Sequence, residues 1–284
     1  MALAISLVER IRNRRARSRG ARKAAGTRPD RSERARYALR LRALVKVLRE
    51  NTSAELFGLL KRLEPEYTRQ SVTSDSVKLK DGYANEVNRA IRGMSSRARD
   101  VGALAESIAT EWSNGVNGKQ RRQFYQAIEN SIGVNLNGIV QEPGVADILD
   151  ATIAENVNLI QSLPDEYYKK ITTVVNNSIN RKNSSSSIIK ELKKIGIETD
   201  TRAKLIARDQ TQKLNAAITQ GRQEAMGIVE YEWQASGDER MRPTHRRNNG
   251  KTFRWDTPPK DTGHPGEDIQ CRCIALPIID LDNI

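Results

Sequence analysis

From Ser32 onward, apolar residues recur at intervals of three and four. Tyr37, Leu41, Leu44, Val45 and Leu48 fall on one helical face. Arg34, Arg36, Arg40, Arg42 and Arg49 lie largely on the others. The pattern predicts an amphipathic helix with Ser32 as its N-cap. A short helix over 53–63 follows, then a polar loop from Pro65 to Ser76. The longest periodic run is Val87, Ile91, Met94, Ala98, Val101, Leu104, Ile108 and Trp112, which predicts one long helix ending between Asn114 and Gly118. Further stripes comprise Phe124 and Ile128, then Leu149, Ile153, Val157 and Ile160. Pro164, favoured in a first turn, is expected to open another helix with Tyr167, Ile171, Val174 and Ile179. Asn183–Ser187 reads as a joint. After it come a helix near Ile188–Ile195 and a second one, capped by Asp200, that carries Leu205, Leu214 and Ile218 and stops at Gly227.

At Ile228 the period switches from 3.6 to 2. Val229, Tyr231 and Trp233 alternate with Glu230, Glu232 and Gln234, as in a half-buried strand. Asn249-Gly250 is a hairpin-turn signal before Lys251–Trp255. Cys271–Ile279 supplies a last strand, which Pro277 should keep at an edge. The expected fold class is mainly α: an elongated multi-helix body, a small β-rich C-terminal module and a disordered basic N-terminal arm. The expected segments are the arm (1–31), the helical body (32–182), a linker with helices (183–227) and the module (228–284). The stripes from Val87 to Ile179 should suffice for a core, so the body is expected to fold without the first fifty residues.

Charge changes this picture at one end only. The net charge is +13, and the first fifty residues hold sixteen Lys/Arg against four acids. The remaining 234 residues are nearly balanced, with 32 basic and 31 acidic side chains. A basic arm on a neutral body points to a polyanionic target. Arg10–Arg31 (RIRNRRARSRGARKAAGTRPDR) contains no aromatic residue and no apolar stripe, so disorder in isolation is expected. Arg10, Arg12, Arg14, Arg15, Arg17, Arg19, Arg22 and Lys23 are the candidate DNA contacts, through sequence-blind phosphate pairing. The lack of aromatics argues against base stacking. An acidic protein surface, anionic lipid, or an organelle transit role share this chemistry. No stretch approaches the roughly 18 apolar residues of a membrane span, and arginines from Arg10 leave no secretory core. Two cysteines two residues apart make no disulfide framework, which fits a reducing cytosolic origin.

Both histidines and both cysteines, His245, His264, Cys271 and Cys273, lie within 29 residues. Two thiolates and two imidazoles make a complete tetrahedral zinc set, and a small module with little apolar content would gain from such a staple. The C-x-C spacing is not that of a standard finger. The other reading has the cysteines packing as small hydrophobes while the histidines bond in turns. Arg272, projecting away from the two cysteines, is left to pair with an acid or with carbonyls.

The run W-x(4)-D-x-R-x-R-P-x-H, from Trp233 through Asp238, Arg240, Arg242 and Pro243 to His245, resembles the phage Mu F-like head morphogenesis family. So do Gly250, Lys251 and Phe253, then Gly263-His264-Pro265-Gly266 and Cys271-Arg272-Cys273. The resemblance covers roughly 190–280, beginning with AKLIARDQTQ (203–212). Some relatives carry C-x-x-C before the Gly-Lys turn, where this chain has Arg242 and His245.

The resemblance implies a minor head protein, a structural component of the virion interior that is made in the host cytoplasm. Its partners would be phage double-stranded DNA and the portal or major capsid protein, with no membrane and no catalysis. Zinc is the one cofactor to expect. Some relatives append a toxin or enzyme domain, and none is expected in the eleven residues after Cys273. The competing class is a metal-dependent nuclease or hydrolase using His245 and His264 with Asp238, Asp261 or Glu267. No P-loop, G-x-S-x-G or H-E-x-x-H motif accompanies them.

Overall fold

The computed structural model describes residues 20–69, 76–133, 136, 142, 144–181 and 183–280. Arg10, Arg12, Arg14, Arg15, Arg17 and Arg19 lie outside them. The described chain is mainly helical and carries one four-stranded antiparallel sheet. Its elements are β1 (Ala21–Lys23), α1 (Arg31–Thr52), α2 (Gly58–Arg69), α3 (Ser76–Ala98), α4 (Gly102–Ile132), α5 (Val145–Asn180), α6 (Ser185–Ala225), β2 (Glu230–Gln234), α7 (Pro243–Asn248), β3 (Thr252–Arg254) and β4 (Ile274–Asp280). A π-helical turn, Ser53–Phe57, joins α1 to α2 with helical dihedrals at both junctions. No described helix is long and apolar enough to cross a membrane.

The chain divides into two compact units, and the division does not follow the linear segments 32–182, 183–227 and 228–284. One unit comprises the chain up to Arg36, Thr110–Ala154 and the chain from Arg208 on. The other comprises Tyr37–Ala109 and Glu155–Ala207.

The second unit is built on apolar stripes. Leu48, Leu56, Leu60, Val87, Ile91, Met94, Tyr167, Ile171, Val175, Ile188 and Leu192 form one core. Tyr37, Leu41, Leu44 and Val45 of α1 are also buried, and the Tyr37 hydroxyl donates to Asn156 Oδ1 at 2.8 Å. Residues from Tyr37 to Leu48 therefore contribute buried side chains to this unit, and a chain begun at residue 51 would lack that packing.

Several expected helix ends are overruled by packing. Pro164 sits inside α5, not at its start. Ile160, Leu163, Tyr167 and Ile171 are buried on both sides of it, enough to offset the roughly 3 kcal/mol that an interior proline costs. Asp200 caps nothing. It lies within the single helix α6 and bridges Arg42 (2.7 Å) and Lys204 (2.9 Å). The cap of α1 is Asp30, whose Oδ1 accepts from the backbone N–H of Ser32 and Glu33, in place of the expected Ser32. The long run from Val87 breaks at Arg99–Val101, beside Asp100 and Gly102, both weak helix formers. The new register buries Ala105 and leaves Leu104 half exposed. The Asn114–Gly118 stretch does not end α4. Gly115 is there for close approach, since a Cβ would fall 2.5 Å from a Glu33 carboxylate oxygen.

The N-terminus of α6 is capped from α2. Glu64 accepts from the Ser185 backbone N–H at 3.0 Å and from its hydroxyl. These bonds hold the Glu64 carboxyl below its ordinary 4.5. Glu64→Ala should cost about 1 kcal/mol, the usual loss for an N-terminal cap. A folded-state pKa below the unfolded value means the contribution is complete above 4.5 and vanishes as pH falls through the lowered value. Urea melts of wild type and Glu64→Ala should therefore differ at neutral pH and converge in acid.

In the first unit the sheet order is β1-β4-β2-β3, with Tyr231 opposite both Phe253 and Pro277. Two expectations change here. Residues 21–23 of the arm form the edge strand, pairing with Ile278–Asp280, so the disorder expected over 1–31 does not hold for them. Pro277 lies in a central strand. Its carbonyl accepts from Ala24 N–H at 3.0 Å, so its ring nitrogen faces the same side, where three-residue β1 ends. No bond to β2 is lost, and the usual exclusion of proline from central strands does not apply. Asn249-Gly250 does make a tight turn, with Lys251 N–H donating to Asn248 C=O at 3.0 Å. Asn249 at φ −57°, ψ 127° and Gly250 at φ +76° give the type II form. The turn follows α7, which fills the β2–β3 connection.

Candidate metal centre

Three of the four expected ligands converge. His245, Cys271 and Cys273 are all buried, and their ligand atoms lie within 4.8 Å of one another. Each arrives from a different constraint. Pro243 occupies the first turn of α7, where a missing N–H costs nothing, and α7 delivers His245 under the sheet. Cys271 and Cys273 stand just ahead of β4, and Gln212 of α6 donates to Cys273 C=O at 3.1 Å. Gly266, at φ +99°, brings its N–H to Cys271 Sγ at 3.3 Å, and a Cβ there would collide with Ala216. Trp233 is fully buried on β2 and meets His245 edge-on, with centroids 5.4 Å apart at 84°.

His245 Nδ1 lies 3.4 Å from Cys273 Sγ and 3.6 Å from Cys271 Sγ. Zn–S of about 2.3 Å and Zn–N of about 2.0–2.1 Å at a tetrahedral angle give an N···S edge of about 3.6 Å. Both N···S distances of the cluster thus match the edges of a tetrahedral site. His245 Nε2 lies 2.8 Å from Asp268 Oδ2, which fixes the ring so that the Nδ1 lone pair faces the sulfurs. Cys271 is pulled down to about 6 because the Cys273 S–H and the backbone N–H groups of Cys273 and Gly266 donate to it, against the opposing effect of burial. Cys273, as the donor and buried, is pushed up.

His264 is not in this set. Its Nδ1 bonds the Tyr231 hydroxyl at 2.8 Å, and its ring packs on Trp255 at 4.9 Å. Tyr231 and Trp233 are successive inward residues of β2, about 6.6 Å apart along a strand. One histidine rests on each, and that spacing divides the expected four-ligand set. Among the described residues no fourth His, Cys, Asp or Glu joins the cluster. Arg242, at the first place of the relatives' C-x-x-C, instead pairs with Asp268 at 3.0 Å and donates to Ile269 C=O.

The remaining motif residues brace the site. Arg272 pairs with Asp238, as its outward direction allows, and Asp238 also accepts from Arg240 N–H. Pro265 lines a small void against Cys273 and Ala275. Asp261 pairs with Arg247, and Glu267 accepts from His264 N–H. Asp238, Asp261 and Glu267 are thus engaged elsewhere and join no centre with the two histidines. Asp268 was missed in the sequence, where its place three residues before Cys271 was the only signal.

Of the arm's candidate contacts, Arg22 and Lys23 are described. Arg22 donates to Ser131 C=O at 2.8 Å, and Lys23 pairs with Glu232 at 2.8 Å. Both are committed to the fold around β1.

Residues 169–276 match the family described as Phage Mu protein F like protein. An uncharacterized protein of Haemophilus influenzae (strain ATCC 51907 / DSM 11121 / KW20 / Rd) is 35% identical over 182 residues, 64% of this chain. That alignment spans 41% of the relative's length, less than half. No solved structure matches the chain.

Proposed function

We propose that this chain is a non-enzymatic minor component of a phage head, acting in head morphogenesis or DNA delivery. The observation that carries the reading is the family match over residues 169–276, which includes α6, β2, β3, the start of β4 and the cluster of His245, Cys271 and Cys273. In this reading the N-terminal basic segment neutralises packaged double-stranded DNA, and the rest of the chain docks on portal or capsid protein inside the head.

The cluster of His245, Cys271 and Cys273 would hold zinc as a structural lock. Its fit rests on the two N···S distances, the two adjacent thiols and the carboxylate behind the histidine. Bound there, zinc would tie α7 to the start of β4 and so fix the loops between them. The competing reading, a nuclease or hydrolase centred on His245 and His264, needs both rings on one ion. Their separate partners, Asp268 and Tyr231, weigh against it.

The test is a mass spectrum of gradient-purified virions carrying this gene, with DNA-free heads alongside. The chain should be found in both, in few copies beside the major capsid protein. Its absence from purified particles would remove the head role.

A further inference from the structure

A second site lies on the other side of Cys271. Where the N-terminal turn of α1 meets α6 and the β2 end, five arginines line a cavity of about 160 Å³: Arg28, Arg31, Arg34, Arg208 and Arg272. That volume corresponds to roughly five waters at ~30 Å³ each. Gln212, Gln234, Ser236 and Gln270 supply neutral polar groups to its walls.

The charge is poorly compensated. Arg272 is paired with Asp238, and Arg208 Nε donates to Gln270 Oε1. Asp30 is spent on the α1 cap, Glu33 on Arg36, and Asp209 on Gln270 N–H and Lys213. Among the described residues no carboxylate pairs with Arg28, Arg31 or Arg34. Burial and the neighbouring charges of Arg272, Arg34 and Arg240 hold Arg208 below its usual range. So many guanidinium groups around one concavity make an anion site, and their planar forks match phosphate oxygens.

We infer that this five-arginine cavity binds a backbone phosphate of duplex DNA. The inference rests on the DNA-contact role proposed above and gives it a fixed point. Arg28 and Arg31 follow the basic segment Arg10–Arg19 within a dozen residues of sequence, close enough for one duplex to engage both. Phosphate pairing spread along a basic segment gives affinity without register. A built phosphate pocket anchors the duplex at one defined place on the first unit.

The test uses the full chain and a duplex of arbitrary sequence, titrated across a salt series. Arg31→Gln/Arg34→Gln removes two exposed or half-exposed cations without disturbing a pair, and removing positive charge from a helix N-terminus does not weaken the helix. Arg122→Gln/Arg246→Gln, two exposed arginines that do not line the cavity, is the matched control. The cavity variant should bind about tenfold more weakly at moderate salt, and its log–log salt slope should fall by about 2. It should also lose the thermal shift given by inorganic pyrophosphate. Equal behaviour of the two double variants overturns the site. So does binding to phosphatidylserine vesicles in preference to duplex, which would assign the cavity to an acidic membrane surface. If a chain lacking residues 1–19 keeps full affinity and the cavity variant loses it, the arm reading falls and this one stands. The reverse pattern sinks the cavity and leaves the arm.

Discussion

The full chain, purified without chelator, is expected to carry about one zinc per molecule, and His245→Ala or Cys271→Ser to carry almost none. His245 Nδ1 already stands at tetrahedral-edge distance from both sulfurs, so little movement of the histidine opposes binding. Structural zinc sites couple roughly 10 kcal/mol or more to folding in the strongest cases. Even a third of that should lower the melting midpoint by roughly 6–12 °C on chelation, at about 2–4 °C per kcal/mol for a domain of 150–250 residues. His264→Gln separates the two histidines. It should keep the zinc and lose only the contacts to Tyr231 and Trp255, at a cost of about 1 kcal/mol. Asp268→Asn should keep the protein folded and weaken zinc about 10–100-fold, the usual effect of disturbing the partner of a ligating histidine. Inductively coupled plasma analysis with differential scanning fluorimetry reads all of these. A metal-free protein that melts identically with and without chelator would leave the cluster as packing alone.

Deleting residues 1–19 should abolish most of the affinity for duplex DNA. Six arginines lie in that stretch against one acid, Glu9. If each neutralises one phosphate, the salt slope carries a contribution of about −5. Six to ten such contacts lose about 10³–10⁵ in affinity between 50 and 200 mM salt. The deletion should stop at residue 19. Removing 20–31 as well would take away β1, which pairs with β4, and the Asp30 cap of α1, so loss of binding would be confounded with loss of fold. Fluorescence anisotropy at several salt concentrations decides the matter. Retention of full affinity by the truncated chain would show that the arm serves another partner.

The chemistry of the site was half legible in the sequence. The gathering of His245, Cys271 and Cys273 in one short window was visible because rare residue types stand out in a linear string. That His264 belongs elsewhere was not visible. Its exclusion depends on which inward ring of β2 each histidine meets, and sequence spacing carries no such information. Asp268 looked like any surface acid until α7 laid His245 Nε2 against it. The five-arginine cavity was hidden for the same reason, since its residues come from positions 28–34, 208 and 272.

Local periodicity determined much of the rest. The helical stripes from Tyr37 to Ile218, the change of period at Ile228, the turn at Asn249-Gly250 and the concentration of charge in the first fifty residues follow from side-chain order alone. Periodicity reports which face of an element is apolar and says nothing of what covers it. Tertiary structure decided the matters of partnership. It buried enough surface around Pro164 to keep α5 whole, and it used Gly115 for close contact with Glu33 where the sequence signalled an end. It drew residues 21–23 into the sheet because β4 offered an open edge, and made Asp200 a bridge within one continuous helix. Each outcome is a long-range contact outweighing a local preference of about 1–3 kcal/mol, and such contacts exist only once the chain has folded.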